Sequence, residues 1–176
     1  MAAQFRHRHL GPDGDGARVR TASGRPGAGG NTESANALIG AVRDHNPEAI
    51  GKLIQKGAPV NERDEEGWTA LLEACKLGHA DCVNVLMQHG ANSNVKTSDG
   101  LTPLHYASQH HNSNCASALL KEGHSLVDYM DPDGNTALSF AARVGSLACV
   151  RLLLGSGAGV DHKADDGETA LHEAAR

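Results

Sequence analysis

The sequence predicts an all-α solenoid in which short helix–turn–helix units of about 33 residues stack side by side. First, four glycines recur at intervals of 33, 34 and 33 residues: Gly67, Gly100, Gly134 and Gly167. Second, each glycine is followed by a Thr two residues later and a Leu four residues later. Third, the first three copies carry a Cys fifteen residues after the glycine and an apolar pair four positions beyond it. A period of this length is typical of repeats that bury their apolar faces only against neighbouring copies.

Each copy is predicted to contain two short helices and a connecting finger. The repeated Thr lies where an N-cap hydroxyl would accept a free helix N–H, and Pro103 follows one such Thr at the first helical position. A first helix of about nine residues is expected to run to Gly78 or Gly145, because glycine can adopt the positive φ that ends a helix. A second helix carries the Cys and the apolar pair at helical spacing. A Gly-Ala step then leads into a polar finger.

The two ends of the chain depart from this pattern. Residues 1–33 contain seven glycines, two prolines and five arginines. Such a segment buries too little apolar surface to offset its ordering entropy, so we predict a disordered tail. A weaker copy opens at Ser34. We therefore expect one repeat domain over 34–176, with copies at about 34–66, 67–99, 100–133 and 134–166 and a partial copy at 167–176.

Composition and charge exclude several classes of protein. Hydrophobic residues make up 39% of the chain, which permits a folded core, but no apolar run approaches the roughly 18 residues of a membrane-spanning helix. A net charge of −5 and an aromatic content of 3% argue against nucleic-acid binding. The N-terminus lacks the apolar stretch of a secretory signal. We expect a cytoplasmic or nuclear protein that binds neither a membrane nor, directly, nucleic acid.

The residue types that often carry chemistry fit structural roles better. Cys82, Cys115 and Cys149 share one repeat position, so stacking would separate neighbours by about 10 Å, too far for a disulfide. The glycine-rich run 155–159 follows a helix rather than a strand and therefore indicates a turn, not a phosphate-binding loop. Neither a zinc-ligand spacing nor a Ser/His/Asp set is recognisable. We expect no metal, no cofactor and no enzymatic activity.

The repeated motifs along the chain resemble those of the ankyrin repeat family. The resemblance rests on Thr102-Pro103-Leu104-His105, Gly78-His79, Gly90-Ala91 with Asn94, and Gly57-Ala58 with Asn61. It covers residues 34–176 and implies L-shaped repeats with antiparallel helices and β-hairpin fingers, stacked into a curved array. It also implies that His105 and His172 make structural hydrogen bonds. The last copy stops at Arg176 after one helix, so we expect a fragment or truncated isoform of a longer array, with an end that frays first.

The resemblance further implies partner contacts on the concave face, from the fingers and from the ends of the first helices. Trp68 is the favoured anchor because Trp is enriched in interface hot spots; packing on its own finger is the alternative. Acidic fingers would steer a basic partner. The expected contact residues are Glu65, Glu66, Trp68, Lys76, Leu77, Asp99, Leu101, Gln109, His110, Asp133, Asn135, Arg143 and Val144.

The expected function is that of a monomeric, non-catalytic scaffold or adaptor that binds another protein. Two alternatives stay open at this point. In the first alternative, the chain is the substrate-recognition part of a ubiquitin ligase, or of a transcriptional co-regulator. In the second alternative, it is the regulatory ankyrin domain of a longer enzyme. Each alternative requires an effector segment beyond Arg176.

Overall fold

The structure, a computed structural model, describes residues 31–121 and 126–176, which form nine α-helices and no β-strand. This confirms the predicted all-α class. The helices are α1 (Asn31–Arg43), α2 (Pro47–Gln55), α3 (Ala70–Leu77), α4 (Ala80–Gln88), α5 (Pro103–Gln109), α6 (Ser113–Lys121), α7 (Ala137–Arg143), α8 (Leu147–Gly155) and α9 (Ala170–Ala174). Helix α1 begins three residues before the predicted domain boundary at Ser34. The rest of the predicted tail, residues 1–30, lies outside the described residues.

The helices form two parallel rows. Helices α1, α3, α5, α7 and α9 follow one another in a first-helix row, each packed on the next. Helices α2, α4, α6 and α8 form a second-helix row in the same way, and each packs against the first helix that precedes it. Because each repeat contacts mainly its neighbours, equivalent residues of successive repeats lie side by side along the stack.

Helix ends follow the local sequence closely. The Thr69 hydroxyl accepts the Leu72 N–H at 3.4 Å at the start of α3, as an N-cap should. Gly78 ends that helix with a φ of 81°, and its N–H donates to the Ala74 carbonyl at 3.0 Å. Helix α7 stops earlier than predicted, at Arg143, and Gly145 takes a φ of 69° in the turn that follows.

The fingers are tight turns, and the described ones contain no strand ladder of the kind that the resemblance implied. In the second repeat, the Asp64 N–H donates to the Trp68 carbonyl at 2.9 Å and the Gly67 N–H donates to the Asp64 carbonyl at 3.0 Å. The Asp131 N–H and the Asn135 carbonyl make the equivalent bond at 2.9 Å. These short loops hold the residues on either side of each repeat glycine in the same position in every copy.

The apolar core runs along the stack between the two rows. Leu71, Leu104 and Leu138, the leucines of the repeated Thr-x-Leu frame, are 1%, 2% and 3% exposed. All four cysteines are free and buried; the repeat spacing predicted that three of them, Cys82, Cys115 and Cys149, lie too far apart for a disulfide. No helix among the described residues is both long and apolar enough to cross a membrane.

Candidate functional site

The predicted contact residues fall into two sets that each recur once per repeat. One set flanks the repeat glycine in the finger, and the other ends the first helix. Because the first helices pack side by side, both sets recur along the array and together make one candidate surface. We call it the finger–helix surface; its finger residues are Glu65, Glu66, Trp68, Asp99, Leu101, Asp133 and Asn135, and its helix residues are Lys76, Leu77, Gln109, His110, Arg143 and Val144.

An aromatic cluster links the second and third repeats at these positions. The partly buried Trp68 ring lies 5.1 Å from the ring of Tyr106 in the next repeat, at an angle of 55°. The ammonium group of Lys76 lies 5.0 Å from the Trp68 centroid, within cation–π range. Tyr106 in turn stacks on the exposed His110, with ring centroids 6.3 Å apart. Trp68 therefore packs across a repeat boundary, not only on its own finger.

Two of these aromatic positions were missed by the sequence reasoning. Tyr106 and Phe140 both stand six residues after a repeat glycine and are 9% and 5% exposed. The guanidinium carbon of Arg143 lies 4.6 Å from the Phe140 centroid, just as Lys76 covers Trp68. Burial raises the pKa of the Tyr106 phenol, which therefore stays neutral at physiological pH. The sequence did contain a signal for these two residues, because two of the chain's few aromatics share one repeat position.

Charged residues on the first helices take different partners in different parts of the array. Arg43 Nε donates to Glu73 Oε1 at 2.7 Å, and this hydrogen bond raises the pKa of Arg43. Arg143 and Glu173 have the same separation of 30 residues, yet the Arg143 guanidinium lies over Phe140 instead. Glu173 Oε2 is buried without a hydrogen-bond partner among the described residues. The other oxygen, Glu173 Oε1, lies 3.9 Å from the Arg176 guanidinium, so this carboxylate already has a cation beside it.

The acidic finger residues divide into turn-forming and exposed ones. The Asp64 carboxylate accepts the N–H groups of Glu66 at 3.0 Å and Trp68 at 2.8 Å. The Asn135 side chain donates to Asp131 at 3.2 Å, so this predicted contact residue is engaged within its own finger. Exposed acidic side chains on the three fingers are those of Glu65, Glu66, Asp99 and Asp133.

The buried histidine of the Thr-Pro-Leu-His frame is structural, as the resemblance implied. His105 Nδ1 accepts the Thr102 N–H at 3.1 Å, which leaves Nε2–H to donate to the Tyr129 carbonyl at 3.1 Å. Burial lowers the pKa of His105 and favours this neutral form. His172 repeats the bond to the Thr169 N–H at 3.2 Å.

The buried cysteines of the described residues have little nucleophilic character, because burial raises the pKa of each thiol. Burial raises the pKa of the Cys115 thiol to about 11, so little nucleophilic thiolate forms at neutral pH. Across residues 31–121 and 126–176, no group of three or more His, Cys, Asp or Glu side chains is arranged to hold a metal ion.

Comparison with known proteins adds one finding. The family model described as ankyrin repeats (3 copies) matches residues 38–128 and 122–176, which together span most of the chain. A search of curated proteins gives no match.

Proposed function

Because the chain belongs to the ankyrin repeat family, whose repeats generally mediate protein–protein interaction and are typically non-catalytic, we propose that it is a non-catalytic scaffold or adaptor. In this proposal, the finger–helix surface is the concave face of the array and binds a segment of another protein. The protein acts as a monomer in the cytoplasm or nucleus, without direct contact to nucleic acid or membrane.

The observation that carries this proposal is the aromatic cluster of Trp68, Tyr106 and His110. It places a partly buried indole at a repeat boundary, with exposed charged side chains around it. Interface hot spots have this composition, because a central aromatic anchor gains most when a surrounding polar rim excludes water. The cluster therefore supports an interface centred on the second and third repeats.

The charges on the surface favour a basic partner. Exposed carboxylates on three consecutive fingers would attract a positively charged segment and speed its encounter. Lys76 and Arg143 lie at the ends of the first helices and would orient the partner by donating hydrogen bonds to its acidic groups.

The test is affinity capture from cell lysate followed by quantitative mass spectrometry. The bait is the full chain, and the variant bait carries Trp68→Ala, Leu101→Ala and Arg143→Ala. The matched control carries Asn84→Ala, Gln88→Ala and Arg151→Ala, which change exposed residues on the second helices. Circular dichroism confirms equal helicity of all three proteins before capture.

We expect a partner that the wild type and the control retain and that the variant loses by about tenfold or more, since hot-spot truncation typically costs above 2 kcal/mol. Equal capture by the variant and the wild type would contradict the proposed surface. Ubiquitin-ligase subunits or transcription factors among the captured proteins would assign the chain to the corresponding more specific class.

A further inference from the structure

A row of cationic side chains runs along the ends of the first helices. It consists of Arg43, Lys76, Arg143 and Arg176, each nine residues after the start of its repeat. The third repeat has the neutral Gln109 at this position. Because the first helices pack side by side, neighbouring members of the row are separated by the distance between packed helices, about 8–10 Å.

The two outer members of this row are paired within the chain. Arg43 Nε donates to Glu73 Oε1 at 2.7 Å. The Arg176 guanidinium lies 3.4 Å from Glu168 Oε1. Both outer cations therefore already have a carboxylate beside them.

The two inner members, Lys76 and Arg143, are exposed and contact aromatic rings instead. The Lys76 ammonium lies 5.0 Å from the Trp68 centroid, and the Arg143 guanidinium carbon lies 4.6 Å from the Phe140 centroid. Within the residues that the structure describes, neither cation forms an ion pair. A ring face attracts the positive charge but accepts few of its N–H donors, so both side chains can still bind an anion.

The distance between these two cations fits an extended chain. Lys76 and Arg143 stand two repeats apart, which corresponds to about 16–20 Å. An extended chain rises about 3.3 Å per residue, so three residues span one repeat and six span two. Residues six apart in such a chain point to the same side. A helix advances about six residues per repeat, which is not a whole number of its 3.6-residue turns, so its contacting side would rotate away.

The repeat between the two cations offers an anion. Its finger carries the exposed Asp99, whereas its helix end carries the neutral Gln109. Burial raises the pKa of the Tyr106 phenol, and the negative charge of Asp99 adds to this effect, so Asp99 lies near the aromatic cluster. In an extended chain, the residue midway between two residues six apart points to the opposite side from both. A basic side chain at that midpoint would turn away from the helix ends and is suited to Asp99.

We propose that the finger–helix surface recognises an extended segment at three residues per repeat. Acidic residues at positions i and i+6 of the segment bind Lys76 and Arg143, and a basic residue at i+3 binds Asp99. This inference rests on the proposed function, and it narrows the basic partner to one whose bound segment also carries two acidic residues at a fixed spacing.

The probe is a phage-displayed library of random twelve-residue peptides, selected on the full chain. We expect the selected peptides to be enriched in acidic pairs six residues apart with Lys or Arg midway. Selection on a chain with Lys76→Glu and Arg143→Glu should remove this enrichment. The matched control carries Lys52→Glu and Arg151→Glu, which make the same charge changes at exposed positions of the second helices and should preserve it.

A charge exchange then tests direct contact. The tightest selected peptide is measured by fluorescence anisotropy, after circular dichroism has confirmed equal helicity of the variants. Lys76→Glu and Arg143→Glu should each weaken binding about tenfold or more, because an attractive contact becomes repulsive. Changing one acidic residue of the peptide to lysine should restore binding to one variant only, and changing the other should restore binding to the second.

Four results would overturn this inference. They are a library that yields no binding peptide, selected peptides without a preferred spacing of six, equal loss of enrichment in the control, and a charge exchange that restores nothing. A preferred spacing of about eleven would indicate a bound helix and would overturn it as well.

Failure of the proposed function gives a different result. Selected peptides that bind a Trp68→Ala chain as tightly as the wild type would contradict the finger–helix surface itself. Peptides that require Trp68 but bind equally well after Lys76→Glu and Arg143→Glu would contradict only the proposed register of charges.

Discussion

The centre of the array and its C-terminal end carry the same local motif in different surroundings. Thr102-Pro103-Leu104-His105 opens α5, and Thr169-Ala170-Leu171-His172 opens α9. Both histidines accept the N–H of their Thr, at 3.1 and 3.2 Å. Yet Leu104 is 2% exposed and Leu171 is 77% exposed. Local sequence thus specifies the helix start and its cap, whereas burial, and with it most of the stability, depends on neighbouring repeats.

The largest expected difference between the two regions concerns these leucines. Leu104→Ala should lower the free energy of unfolding by about 3 kcal/mol, because it removes buried methyl groups and leaves a cavity. Leu171→Ala should cost less than about 0.5 kcal/mol, because its side chain is mostly in water already. Urea unfolding followed by circular dichroism measures both. Similar costs for the two substitutions would mean that the C-terminal end is as well packed as the centre.

A smaller difference is expected for the two histidines. His105→Ala should cost about 2 kcal/mol, because it leaves the buried Thr102 N–H unpaired and removes the bond to the Tyr129 carbonyl. His172→Ala should cost well under about 1 kcal/mol, because water can replace its bond at an exposed site. The same urea titrations apply.

The pH dependence of the stability cost of His105→Ala provides the control for this second prediction. Burial lowers the pKa of His105 below its ordinary 6.5, so below pH 6.5 the unfolded state binds a proton that the folded state resists. The stability that His105 contributes is present above pH 6.5 and is lost as the pH falls towards its folded pKa. The cost of His105→Ala should therefore be smaller at pH 5.5 than at pH 7.5. A cost that is equal at both pH values would show that the imidazole is not held neutral in the folded protein.

The parts of the structure that depend on one repeat were predictable from the sequence. The Thr caps, the end of α3 at Gly78 and the buried cysteines all follow from residue type and spacing. The contact between Trp68 and Tyr106 was not predictable, because it depends on how two repeats stack. Phe140 was missed as a partner of Arg143 although the two residues lie three apart on α7, a spacing that brings helix side chains together.

The state of individual polar groups was also beyond sequence reasoning. Arg43–Glu73 and Arg143–Glu173 have the same spacing, but only the first pair forms a salt bridge. In the fourth repeat an aromatic ring competes for the guanidinium, whereas the first repeat has Gly40 at the position of Phe140. The competing ring lies three residues from Arg143 on the same helix, but which partner Arg143 takes is settled by side-chain packing that spacing does not encode.

The most direct test of this dependence on neighbours is the hydrogen exchange of two equivalent amides. The Tyr106 N–H donates to the Thr102 carbonyl at 3.2 Å in α5, and the Glu173 N–H donates to the Thr169 carbonyl at 3.1 Å in α9. If neighbouring repeats supply the stability, the Glu173 amide should exchange about 100-fold faster or more, through local opening of α9. Equal protection of the two amides would contradict the account, because the helix would then owe its stability to its own hydrogen bonds.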